Sequence, residues 1–372
     1  MKVAINCRSI LKRKYTGIGR YTYNLIKSLS EIDDRNYYHL YARKGIFNIT
    51  KGIPHFGPRN FQPVIDRFKR GPEKTLGKVD IYHSPSPDIL TVNNGAKIIV
   101  TVHDLIFKTF PEGHTQRTLD ETEKNMANIG EKASKIICCS KNTVRDLKKY
   151  FNIKKEKISL VYQGVDKNMF YVIGSEEDRQ ADRMLKKRGI YEPYILSVGT
   201  IEPRKNLENI LHAFDKLRTR KQFSGKLVVI GMKGWMSDGI ESLIRKLELK
   251  NHVLFMGYIN NHELRHFYNR AEAFLFPSFY EGFGFPIVEA FCCGTPVVTS
   301  NVSSCPEVAQ DAALLTNPYN PEEIATAISR IVNDAGLKQS LREKGFRRAG
   351  DFNFHKTAKK TLAVYKEAYK SR

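Results

Sequence analysis

Short continuous apolar runs alternate along the whole chain with longer stretches in which apolar side chains recur every three or four positions. The first pattern is that of strands buried on both faces and the second that of amphipathic helices. In the first half, residues 3–7, 97–102, 135–139 and 158–162 are predicted strands, and Tyr21, Leu25 and Leu29 share one helix face. In the second half, strands are predicted at 194–198, 227–230, 253–256, 273–277 and 296–299, with a helix carrying Leu207, Ile210, Leu211, Phe214 and Leu217. Asn320-Pro321-Glu322-Glu323 has the cap, proline and early acids of a helix start, and a last helix carries Leu362, Val364, Tyr365 and Tyr369. The polar, highly charged stretch 173–189 has little core character and is the predicted linker. Strands alternating with helices imply an α/β protein with parallel sheets covered by helices, and 372 residues suffice for about two such domains. Ligands of such sheets bind outside the carboxyl ends of the strands, here in a cleft expected between the domains.

Hydrophobic residues at 41% and aromatics at 11% mark a globular chain rather than a disordered one. No apolar run approaches the roughly 20 residues of a membrane span. The opening MKVAINCRSI reads as a first strand, its apolar part too short for a signal peptide, so a cytoplasmic location is expected. Cys7, Cys138, Cys139, Cys292, Cys293 and Cys305 show no metal-ligand spacing and are expected to be small buried hydrophobes in a reducing compartment. Charge changes the picture more. The net charge is +22, and residues 1–175 hold 31 Lys and Arg against 16 Asp and Glu, whereas residues 176–372 hold 30 against 23. The excess clusters at 12–14 and 141–157. It suits anionic lipid headgroups at the inner face of the cell membrane, a diphosphate-linked acceptor or nucleic acid, and a merely solvated lysine-rich surface fits it nearly as well. No nucleic-acid-binding motif accompanies it, so no nucleic-acid partner is expected.

Glu281-Gly-Phe-Gly-Phe-Pro-Ile-Val-Glu289 sets two carboxylates eight positions apart across a glycine-bearing loop that enters a helix. Gly282 and Gly284 let backbone amides approach a ligand, Pro286 suits the first helical turn, and Gly294 suits the stop. Glu289 is expected in that first turn, beside a helix end that attracts phosphate, and Glu281 on the loop. The arrangement suits a polyhydroxylated anion, and two ordinary helix-start carboxylates fit the residues as well. Val198-Gly199-Thr200-Ile201-Glu202-Pro203-Arg204-Lys205-Asn206 ends a strand on glycine, then sets two cations ahead of a helix that Asn206 is placed to cap. Cations at the positive end of a helix are misplaced unless an anion joins them; Arg204 offers a planar fork to phosphate and Lys205 a point charge. His103, in Thr101-Val102-His103-Asp104, falls at a strand's carboxyl end, either as a satisfied structural group or as a ligand contact. Gly17 and Gly19 precede the first predicted helix and offer amides to a phosphate, although Thr22 stands where a dinucleotide fingerprint has its last glycine, and a plain turn fits equally. Gly257-Tyr258-Ile259 follows a strand in the second half.

Together these segments resemble the retaining glycosyltransferases of family 4, whose signature is a Glu-x7-Glu element. The resemblance spans nearly the whole chain, strongest over 194–313 and weakest over 45–78. It implies the GT-B fold, two Rossmann-like domains facing a central cleft: an acceptor-side domain at 1–175, a nucleotide-sugar domain at 176–354, and a final helix, 355–372, packing back on the first. It implies that Glu281 holds hydroxyls of the transferred sugar, Glu289 the ribose, Arg204 and Lys205 the diphosphate, and His103 the sugar near its 6-hydroxyl. The loop with Gly17 and Gly19 would close over the diphosphate. Gly199, Gly257, Tyr258, Ile259, Gly282, Phe283, Gly284 and Phe285 would line the donor. Asn301-Val302-Ser303-Ser304-Cys305-Pro306-Glu307 resembles the family's SS-x-PE turn behind the donor site. His83-Ser84-Pro85 and Tyr162-Gln163-Gly164-Val165-Asp166 match segments of structural character, with Gln163 where Asn is typical.

The pair GTIEPRKNL and FYEGFGFPIVEA looks closest to bacterial mannosyltransferases of polysaccharide and O-antigen assembly. The resemblance therefore implies hexose transfer with retention, GDP-mannose as donor and a lipid-linked or oligosaccharide acceptor. UDP-glucose or UDP-N-acetylglucosamine as donor, and a non-catalytic sugar-nucleotide-binding protein, are the alternatives. No Asp-x-Asp occurs, so no metal or other cofactor is expected, and closure about a hinge near 173–190 is expected.

Overall fold

The computed structural model describes residues 1–11, 16–43, 52–87, 92, 95–232, 234 and 238–371. The basic cluster at 12–14 and residues 45–51 of the weakly matching segment lie outside them. The chain forms two compact α/β units, Met1–Gly164 with Asn353–Arg372, and Val165–Phe352.

The first unit holds β1 (Lys2–Asn6), β2 (Tyr37–Arg43), β3 (Phe61–Asp66), β4 (Ile81–Ser84), β5 (Lys97–Val102), β6 (Lys135–Cys138) and β7 (Ile158–Leu160). They form a sheet in the order β3-β2-β1-β4-β5-β6-β7, every pair parallel. The second holds β8 (Tyr194–Val198), β9 (Lys226–Ile230), β10 (Val253–Phe255), β11 (Ala273–Phe276), β12 (Val297–Ser300) and β13 (Ala313–Thr316), ordered β10-β9-β8-β11-β12-β13 and again parallel. Each predicted strand is present within two residues at either end. Four others are not predicted by the apolar pattern, and each has a reason. β4 buries His83 and Ser84 among its four residues, β3 is an edge strand carrying Pro63, β2 mixes His and Arg with tyrosines, and β13 is a short edge strand.

In both sheets the strand order reverses beside the first strand, between β1 and β4 and between β8 and β11. Open α/β sheets bind ligands outside the carboxyl ends at such reversals. In the first unit the helix Gly17–Ile32 buries Tyr21, Leu25, Ile26 and Leu29. The final helix, Phe354–Lys370, shares their core through Ala358, Val364, Tyr365 and Ala368, and leaves Tyr369 exposed. All six cysteines are buried.

The stretch 173–189 is not a linker, and a hinge at 173–190 would fall inside the second unit. Ser175–Lys187 is a helix that buries Ala181 and Leu185, while Glu177 pairs with Arg265 at 2.9 Å and Asp182 pairs with Arg270. A narrow apolar stripe and ion pairs dock it, which a hydropathy pattern reads as solvent-facing chain. The unit boundaries at 164/165 and 352/353 also differ from those expected at 175/176 and 354/355.

His83 is wholly buried between Tyr365 OH, 2.7 Å from Nδ1, and Thr101 Oγ1, 2.9 Å from Nε2. Burial pushes its imidazole down to about 3. Unfolded, it would take up a proton near pH 6.5, so its contribution is intact above that value and is lost as pH falls toward 3. About 2 kcal/mol should disappear between pH 7 and pH 5. Denaturant midpoints at the two pH values should show a steeper loss in the parent than in His83→Gln, and equal slopes would refute the assignment.

Candidate active site

The loops leaving β8 and β11 flank the reversal point of the second sheet. After β8 the chain turns at Gly199, makes a single 3-10 turn over Pro203–Lys205 and enters the helix Leu207–Thr219. After β11 it runs to the helix Phe285–Cys292. The two loops are stitched together: Phe279 N donates to Arg204 O at 2.9 Å, and Asn206 Nδ2 donates to Pro277 O at 2.9 Å and Pro318 O at 2.7 Å. Asn206 does precede the helix, but its side chain makes no cap; it adopts φ 62° and serves as the stitch.

This stitching brings Arg204, Lys205 and Glu281 together. Lys205 Nζ lies 2.5 Å from Glu281 Oε1 and Arg204 Nη1 lies 3.0 Å from Oε2, so one carboxylate bridges both cations. Arg204 also pairs with Glu202 at 2.6 Å, and Lys205 Nζ stands 4.7 Å above the Phe276 ring. Two cations therefore meet two carboxylates. The misplacement of positive charge at a helix N-terminus is answered within the protein, by Glu281 and Glu202, and an external anion is not required to relieve it. Burial would raise the Glu281 carboxyl, but Lys205 and Arg204 outweigh it and hold it below the usual carboxylate range. Burial likewise draws the Lys205 ammonium below its ordinary value, with Glu281 opposing. The cluster is charged, desolvated and held by its own counter-ions.

Glu281 is fixed through its backbone as well. Its amide donates to Ser303 Oγ at 2.9 Å, and its carbonyl accepts from Ser303 Oγ at 2.7 Å and Ser304 Oγ at 2.9 Å. Ser304 Oγ also reaches Phe283 O at 3.0 Å. The Ser303–Ser304 turn thus holds the Gly282-Phe283-Gly284 backbone from behind. Phe283 packs its buried ring on Phe285 and Phe352, so a ligand would meet its backbone rather than its ring. Gly284 (φ 97°) precedes the helix, Pro286 lies in its first turn, and Gly294 (φ 72°) follows its end. Glu289 is not in that first turn. It is the fifth helical residue, because the helix begins at Phe285. It is nearly buried and accepts a 3.1 Å hydrogen bond from Tyr268 OH, a partner on the helix Asn261–Arg270 that no local motif announces.

Three glycines end three adjacent strands. Gly199 N donates to Ile230 O and Gly231 N to Gly257 O, both at 2.9 Å. A Cβ on Gly231 would lie 1.8 Å from Gly199 O. Beyond Gly257 (φ 63°), Tyr258 is half exposed and Ile259 is buried.

In the first unit, His103 follows β5, and both ring nitrogens are engaged. Nε2 is 2.7 Å from Pro85 O, a carbonyl that only accepts, so Nε2 carries the proton; Nδ1 then accepts from Gln163 Nε2 at 2.7 Å. Burial lowers its imidazole below the ordinary value, against the Pro85 carbonyl and Asp104. The imidazole is neutral with a fixed tautomer, and a ligand contact at either nitrogen would displace one of these partners. Cys139 Sγ and Thr143 Oγ1 steady the His103 carbonyl at 2.9 and 3.1 Å. Gly17 and Gly19 do not form a loop ahead of the helix. They lie in its first turn, where Thr16 Oγ1 accepts from Gly19 N at 3.4 Å. Among the described residues, no group of His, Cys, Asp and Glu is placed to hold a metal ion, and no helix is long and apolar enough to cross a membrane.

Known proteins resemble this chain in sequence and in fold. Along nearly its full length the chain is 28% identical to O-antigen chain mannosyltransferase B of Escherichia coli, covering 96% of this chain and 97% of that protein. It is 29% identical to O-antigen chain mannosyltransferase RfbU of Salmonella typhimurium, over 62% of this chain and 60% of RfbU. Its fold matches sucrose-phosphate synthase from Thermosynechococcus elongatus with a TM-score of 0.78, at 20% identity over all of both chains. It also matches HepE of Anabaena, solved in complex with UDP and glucose, with a TM-score of 0.73 at 16% identity over 99% of this chain and 100% of that one. These likenesses establish the fold as GT-B. The profile described as Glycosyltransferase Family 4 matches residues 15–168, and that described as Glycosyl transferases group 1 matches residues 178–348. With both units matched and the signature carboxylates at the second sheet's reversal point, this enzyme belongs to the family 4 glycosyltransferases.

Proposed function

We propose that this glycosyltransferase moves mannose from GDP-mannose to a hydroxyl of a lipid-linked or oligosaccharide acceptor in cell-surface polysaccharide synthesis, with retention of anomeric configuration. The observation that carries the reading is the Arg204–Lys205–Glu281 cluster at the β8/β11 reversal, a partly buried cation pair clamped to a buried acid. The likeness to two O-antigen mannosyltransferases supports mannose as the sugar.

In this reading the donor diphosphate takes the place of part of the internal counter-charge. Arg204 and Lys205 turn toward phosphate oxygens, and Glu281, released from one of its partners, accepts from hydroxyls of the sugar. Glu289, oriented by Tyr268, accepts from the ribose. The bond between the sugar's anomeric carbon and the β-phosphate oxygen breaks, a bond to the acceptor oxygen forms on the same face, and the acceptor proton passes to the leaving phosphate. Positive charge fixed where the diphosphate's charge develops is the main catalytic contribution of the chain's own residues, without a metal. The acceptor meets the carboxyl end of the first sheet, and the basic first unit approaches the inner face of the cell membrane.

A thermal-shift panel of GDP-, UDP-, ADP- and dTDP-sugars tests the donor. Ligand at about a hundred times its Kd stabilises by about 2.7 kcal/mol, and GDP-mannose should give the largest rise. A larger rise with a UDP-sugar would replace the donor, and no rise with any would overturn the reading.

A further inference from the structure

The turn after β3 presents an aromatic ring among cations on a rigid support. Phe68 is 67% exposed, and Arg67, Lys69 and Arg70 beside it are all exposed. The Arg70 guanidinium lies 5.1 Å from the Phe68 ring centre. Beneath them the turn is tied down. Asp66, nearly fully buried, accepts from Arg70 N at 3.0 Å, Gly71 N at 2.8 Å and Tyr41 OH at 3.0 Å, while Arg43 Nη2 donates to Lys69 O at 2.7 Å. Lys74 and Lys78 follow, exposed, and Glu73 is the single acid between 67 and 78. One exposed phenylalanine is ordinary. A phenylalanine held at the tip of a buried-acid turn and ringed by cations has the composition of an interfacial anchor, with the ring at headgroup depth and the charges on lipid phosphates.

Place in the fold adds a second argument. Every pairing in this sheet is parallel, so the turn after β3 lies at the same end of the sheet as the first turn of Gly17–Ile32, after β1, and His103, after β5. That is the ligand-binding end of such a sheet. We propose that the 67–70 turn docks this end of the first unit on an anionic bilayer surface, Phe68 inserting and Arg67, Lys69 and Arg70 pairing with lipid phosphates. The proposal rests on the reading that the acceptor is lipid-linked, and it supplies the residues by which the enzyme meets its substrate's membrane.

Flotation of the full chain with phosphatidylcholine vesicles, with and without phosphatidylglycerol, is the test. The parent should float with the anionic vesicles and stay behind with pure phosphatidylcholine. Phe68→Ser should lower the bound fraction's partition about tenfold, and Arg67→Gln, Lys69→Gln and Arg70→Gln together should lower it more, since each neutralised cation removes about a fivefold factor. Both variants should keep the parent's melting temperature and its thermal shift with donor. Absence of binding by the parent, equal binding by Phe68→Ser, or displacement by single-stranded RNA at the strength of its own binding would overturn the proposal. Loss of the donor shift in the parent would instead overturn the nucleotide-sugar reading and leave the vesicle result standing.

Discussion

Lys205→Ala should slow release of nucleoside diphosphate by about 10²–10³, the usual consequence of removing one donor from charge developing in a transition state. The ammonium is 2.5 Å from Glu281 Oε1 and stands 4.7 Å above the Phe276 ring. Unfolding should not explain the loss. Arg204 still holds Glu281 at 3.0 Å, which keeps the cost below the roughly 3–5 kcal/mol of a fully orphaned buried charge. Glu281→Gln makes the sharper companion. It removes the counter-ion that competes with phosphate for both cations, so free GDP should bind more tightly while turnover falls. Steady-state kinetics with calorimetric GDP binding would read the two effects separately. Turnover at the parent's rate in both variants would show that the cluster only holds two loops together.

Gly231→Ala should destabilise the second unit by about 3 kcal/mol, at the upper end of overpacking costs. The added methyl would stand 1.8 Å from Gly199 O and 2.7 Å from Gly199 C, which are backbone atoms and cannot rotate away. For a unit of this size the melting temperature should drop by roughly 6–12 °C. Gly257→Ala is the control. Nothing lies within 4 Å of its Cβ, and only the backbone angle of φ 63° resists, so about 1 kcal/mol is expected. Equal losses in the two variants would mean that conformation, not contact, governs the row of glycines. Weakened donor binding in Gly231→Ala, measured below its melting point, would further place this row beside the nucleotide.

Wherever a strand is a near-continuous apolar run, as in β5 or β11, the sequence announces it, because the signal is local and both faces are buried. β4 escapes because half of it is polar and satisfied by distant partners: His83 bonds Tyr365, 282 positions away. The helix Ser175–Lys187 escapes for the opposite reason, its docking resting on ion pairs as much as on apolar area. Glu289 lies one turn deeper than expected because helix starts are set by backbone geometry at Gly284, which residue types suggest without fixing the count.

Residue order alone determined the alternation of strands and helices, the glycines that end strands, and the grouping of acids and cations in the 198–206 and 281–289 segments, since each depends on neighbours within a turn or a strand. Only the folded chain decided that one carboxylate clamps two cations 76 and 77 positions away in sequence, that His103 spends both nitrogens on Pro85 and Gln163, and that Phe68 stands out among cations. Counter-ions and hydrogen-bond partners are chosen by proximity in space, and a sheet whose crossovers bring remote loops to one end makes that proximity unrelated to distance along the chain.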